Sequence, residues 1–135
     1  MNHFPTITFE INSESSNIVK VENFIDYIIE KLEIPEALRA RITLPVLEAV
    51  TNSILFRNET TQNTQKTIKL WVTKRNKKLI VTVKDTGKGM NTNKLPEKLK
   101  NKGFYMLISL PDQILFSHNG AKITMTYNLN SIETL

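Results

Sequence analysis

The stretch LEAVTNSILF, residues 47–56, decides the reading of this chain. Leu47, Val50, Ile54 and Leu55 recur at the spacing that lays an apolar stripe along one face of a 3.6-residue helix. Glu48 and Asn52 stand at i and i+4, stacked one turn apart on another face and able to act on a single object. Small residues, Ala49, Thr51 and Ser53, lie between them. A solvated helix surface explains an arbitrary Glu and Asn equally well, so the rest of the chain has to discriminate.

Working outward, Pro35 suits the first turn of this helix, where its missing N–H costs nothing. Pro45 lies inside it and predicts a kink or a division just before Glu48. Upstream, FPTITFEI (4–11) alternates with Ile7, Phe9 and Ile11 on one side and reads as a strand. Ser15 or Ser16 then caps a long amphipathic helix reaching about Leu32. Downstream, RNETTQNTQ (57–65) reads as a loop, and TIKLWVTK and LIVTVKD form a hairpin around RNKK. The segment DTGKGMNTNKLPEKLKNKG (85–103) has no sustained period and is a long loop of the kind that usually carries function. A short helix, FYMLISL, ends at Pro111, and QILFSH and KITMTYNL form a terminal hairpin around Asn119 and Gly120. The order β-α-α-β-β-loop-α-β-β predicts an α+β, two-layer sandwich with helices on one face of a mixed or antiparallel sheet.

With 135 residues, 40% of them hydrophobic and 23% charged, residues 1–135 are expected to form a single globular domain. No apolar run approaches the length of a membrane span and the N-terminus lacks a signal-peptide pattern, so a cytoplasmic protein with no membrane partner is expected. There is no cysteine, and His3 and His118 have no zinc spacing. The net charge of +5 is uneven: between Lys66 and Lys102 the balance is +10, and the remainder carries −5. Such a region suits an anionic partner or a polyphosphate ligand. Few aromatics accompany these lysines, Trp71 and Tyr105 being more simply core or interface residues, so nucleic acid is not expected as a partner.

VKDTGKGM (83–90) ends a strand with Asp85 and follows it with Gly87 and Gly89, which let backbone and ligand approach closely. A Lys-rich loop then closes on Gly103 at the start of a helix, where backbone N–H groups favour phosphate. In order and spacing, EAVTN, DTGKG, KGFYML and NGAKITM resemble the N box, two glycine boxes and terminal strand of the GHKL ATPase superfamily, with its Bergerat (histidine kinase-like ATPase) fold. The likeness is greatest to its small bacterial branch of anti-sigma factors that are also serine protein kinases. It implies ATP and Mg²⁺ as cofactors, Glu48 as general base, Asn52 as Mg²⁺ ligand and Asp85 as acceptor for the adenine amino group. Gly87, Gly89, Lys102 and Gly103 would line the nucleotide, and Lys94, Lys98 and Lys100 are candidate lid cations. A sigma factor and an antagonist (anti-anti-sigma) protein are the implied partners, and homodimers are common in the family.

Several positions depart from that pattern. Asn101 replaces the first glycine of the second glycine box, Ala121 replaces a Thr, Phe56 stands where relatives often carry His, and the Met90–Lys102 loop is short. These departures point to lowered nucleotide affinity. They keep open an alternative in which a catalytically weak or inactive Bergerat-fold module acts through protein binding.

Overall fold

The computed structural model describes residues 5–60, 66–86, 102–118 and 121–132. Five strands, β1 (Ile7–Asn12), β2 (Thr67–Arg75), β3 (Lys78–Asp85), β4 (Gln113–Ser117) and β5 (Lys122–Asn128), form one sheet in the order β1-β2-β3-β5-β4. Every described pairing is antiparallel, which resolves the choice between mixed and antiparallel sheets. Helices α1 (Ile18–Lys31), α2 (Arg39–Thr60) and α3 (Lys102–Ser109) complete the α+β sandwich. No helix among the described residues is long and apolar enough to cross a membrane.

Alternation in the strands sets the two layers. Ile68, Leu70 and Val72 of β2, Leu79, Val81 and Val83 of β3, and Ile123, Met125 and Tyr127 of β5 all point into one buried cluster. Opposite them stand Val21, Phe24, Ile25, Ile28 and Ile29, the apolar stripe of α1, with Phe9 stacked on Phe24 at 4.7 Å between ring centroids. The β2–β3 turn needs positive φ at both central residues, and Asn76 (51°) and Lys77 (63°) supply it, the signature of the hairpin turn whose twist matches the strands.

Three local expectations are corrected, and a fourth, left open at Pro45, is decided. Ser15 and Ser16 do not cap α1: they lie in a 3₁₀ turn, Asn17 holds the cap position, and its amide instead donates to the Asn12 carbonyl at 3.0 Å. Pro45 does not divide α2, which is one helix through that residue. Pro45 itself is buried, flanked by the fully covered Ile42, Val46, Ala49 and Val50. Packing of that face therefore offsets the cost, about 3 kcal/mol, of a proline in a helix interior. The helix also continues through residues 57–60, where composition suggested a loop. Leu55, assigned to the apolar stripe, is 47% exposed.

Candidate functional site

Helix α2 presents Glu48 and Asn52 as their spacing requires, but the face they share is not open surface. Helix α3 packs on α2, and its N-terminal end lies against this face. Asn52 is 3% exposed, with Ser53 buried beside it. Its amide hydrogen-bonds the Glu48 carboxylate. That carboxylate rests on Gly103, the second residue of α3: a Cβ there would stand 2.8 Å or less from its carbon and both its oxygens. Only a residue without a side chain leaves room for Glu48 at the head of α3.

Burial pushes the Glu48 carboxyl above its ordinary value of 4.5, the desolvation of the charged form outweighing the opposing Asn52 hydrogen bond. A carboxylate so placed is a better proton acceptor than a solvated one. Among the described residues no three His, Cys, Asp or Glu side chains cluster to hold a metal. The hard oxygen of Asn52 suits a cation completed by ligand oxygens, the usual arrangement for Mg²⁺ on a polyphosphate.

Asp85 ends β3 and is 5% exposed. Its place is set from both sides: it pairs with Ile68 of β2, and its N–H donates to the Ala121 carbonyl at 2.9 Å. Immediately beyond it, Thr86 is clipped to Thr67, donating its N–H to the Thr67 carbonyl at 3.1 Å and accepting the Thr67 N–H on its hydroxyl at 3.2 Å. This clip holds the strand end just before Gly87 in the sequence. A buried carboxylate on the core face of a strand end can accept from an exocyclic amino group, which offers the donor a carbonyl lacks.

The structure thus brings Glu48, Asn52 and Gly103 together, and places Asp85 beside Ala121. Lys102 opens α3, but its side chain, like Gly87, Gly89, Lys94, Lys98, Lys100 and Asn101, lies outside the described residues. The side chain of Phe56 does too.

Sequence reasoning missed the residue that ties α3 to α2. The Arg41 guanidinium donates to the Leu110 carbonyl at 3.0 and 3.3 Å and reaches Asp112 at 3.5 Å. Asp112 in turn accepts the Asn128 N–H at 2.7 Å, linking the exit of α3 to β5. Arg41 lies 69 positions before Leu110, so no local pattern announces the contact.

A family model described as a histidine kinase-like ATPase domain matches residues 11–127, from the last two residues of β1 to the penultimate residue of β5. No curated protein matches the chain. The matched span holds every element that builds the site, and the chain therefore belongs to the histidine kinase-like ATPase domain family.

Proposed function

We propose that the chain binds ATP with Mg²⁺ and acts as an anti-sigma-factor-like regulator that transfers phosphate to a Ser or Thr of an antagonist protein. The observation that carries the reading is the seating of the Glu48 carboxylate on Gly103 at the N-terminus of α3, with Asn52 hydrogen-bonded beside it. A general base, a hard metal ligand and a phosphate-favouring helix end are the three parts that phosphoryl transfer asks a protein to position. The residues fit the group: Asn52 would hold Mg²⁺, Asp85 the adenine amino group, and Gly103 would donate toward phosphate. When bound, the cation would offset the charge of the triphosphate. Glu48 would orient and accept the proton of the attacking hydroxyl. The resemblance adds Gly87, Gly89 and Lys102 as nucleotide contacts and a sigma factor and its antagonist as partners; the cytoplasm is the location proposed from the sequence pattern.

A second reading, a module that acts by protein binding with little or no turnover, is favoured by one feature. Ala121, at the position where the resembling family carries Thr, is buried next to Asp85 and brings a methyl group rather than a hydroxyl. Losing one such hydroxyl weakens binding by about 1–3 kcal/mol if its partner is left unpaired. Calorimetric titration with ATP separates the readings, with and without Mg²⁺ and beside Asp85→Asn. Mg²⁺-dependent heat that falls at least about tenfold in affinity in Asp85→Asn supports the nucleotide site. No heat in the folded protein leaves the binding module.

A further inference from the structure

The sheet face turned away from the helices carries a pattern that a nucleotide site on the other face does not use. Alternation places Lys69, Trp71 and Thr73 of β2 there, because Ile68, Leu70 and Val72 point into the core. By the same alternation Ile80, Thr82 and Lys84 of β3, and Lys122, Thr124 and Thr126 of β5, share this face. The register sets Lys69 opposite Lys84, and Lys84 opposite Lys122. Three ammonium groups thus line up across three neighbouring strands, a row spanning about 10 Å at the usual strand separation. At the hairpin end Arg75 stands opposite Lys78, a third like-charged pair. Glu10, across from Lys69, is the acid that the described strands add to this face. None of the three lysines forms an ion pair with a described carboxylate.

Like charges directly opposite one another weaken a sheet unless something neutralises them. A regularly spaced anion does so, and the next row says which kind. Trp71, the chain's one tryptophan, is partly exposed on this face and stands outside the core cluster, which leaves the interface half of its core-or-interface reading. It is flanked by Thr8 and Thr82 across the strands, and the Lys69 ammonium lies 4.9 Å from its ring centroid. An aromatic ring among hydroxyls and lysines on a sheet face is a stacking platform for an unpaired base, whereas a five-stranded sheet does not enter a duplex groove. An acidic protein is the weaker fit, since protein interface cores are depleted in lysine.

We propose that the open face of the sheet binds single-stranded nucleic acid, with phosphates along Lys69, Lys84 and Lys122 and a base on Trp71. From the sequence nucleic acid is not expected, for want of aromatics beside the basic segment; the row itself is not visible there, because Lys122 lies outside that segment and joins the row only through β3–β5 pairing.

Trp71 emission reports the face directly. Titration of the full chain with oligodeoxythymidylate at low salt is expected to quench it saturably. The logarithm of the association constant should fall against that of salt with a slope of about −2, the release expected for three neutralised phosphates. By anisotropy of a labelled oligonucleotide, Lys84→Gln and Lys122→Gln should each reduce the slope by about 0.7, and Trp71→Leu should weaken binding at least about fivefold. Lys84→Gln should also raise the melting temperature by relieving its two like-charged neighbours. Absence of quenching, slopes unchanged in the lysine variants, or equal binding of duplex DNA or polyglutamate would overturn the proposal. So would a lowered melting temperature in Lys84→Gln, which would mean that the lysine is held by a partner.

Discussion

Replacing Gly103 by Ala tests the closest packing in the site without requiring any ligand. The added methyl would fall inside contact distance of the Glu48 carboxylate, so Glu48 has to swing aside, leaving the buried Asn52 amide without that acceptor. Two terms then compete. Alanine in a helix is better than glycine by about 0.5–1 kcal/mol, a gain that applies wherever Glu48 is. Displacing Glu48 loses a hydrogen bond to a charged, half-buried acceptor, about 1–2 kcal/mol. In the natural background the substitution should therefore be neutral or destabilising by about 1 kcal/mol; in Glu48→Ala, where the methyl finds space, it should stabilise by about 0.5–1 kcal/mol. The difference, a coupling of about 1–2 kcal/mol, is read from denaturant unfolding of the four proteins of a double-mutant cycle. Additivity within about 0.3–0.5 kcal/mol would refute the seating of Glu48 on Gly103, and with it the observation on which the functional reading rests.

Three further outcomes are expected. Because burial raises the Glu48 carboxyl in the folded state, the native chain bears a desolvation cost when that group is ionised; the cost is present at neutral pH and disappears as pH falls through the folded value toward 4.5. The stability advantage of Glu48→Gln over the natural chain should accordingly be largest at neutral pH and shrink on acidification, and growth of that advantage between neutrality and pH 4.5 would contradict the sign. Arg41→Met should cost about 1–2 kcal/mol by leaving the Leu110 carbonyl without its guanidinium partner, and should raise amide hydrogen exchange in α3 more than in α1; equal protection in both helices would show that α3 is held by other contacts. Lys77→Gly should stabilise by about 0.5–1 kcal/mol, because the hairpin turn holds Lys77 at φ 63°, and an unchanged denaturation midpoint would argue against that turn.

Much of the architecture was legible because it rests on periodicity. The two-residue alternation of β2, β3 and β5 and the wide apolar stripe of α1 have no other good solution than one buried sheet face covered by helices. The open and mistaken expectations fall where local propensity and tertiary packing disagree. Pro45 argues locally against a continuous helix, but burial of Ile42, Val46 and Ala49 around it prevails. The serines before α1 argue locally for a cap, but the chain turns one residue later, at Asn17.

Glu48, Asn52 and Asp85 were nameable from residue type and spacing alone, since a Glu and an Asn one helical turn apart and an Asp ahead of two glycines are local facts. That Gly103 is the floor on which Glu48 rests was not, because helix packing of α3 on α2 joins residues more than fifty positions apart and only an absent side chain permits it. Nor was the anchor from Arg41 to Leu110 or the lysine row across β2, β3 and β5. Sequence by itself determined which faces are apolar and which residues can do chemistry, because side-chain direction follows from the period of the helix or strand. Tertiary structure decided which of those residues meet, because sheet register and helix docking are chosen by the burial of the whole apolar surface and not by any one segment.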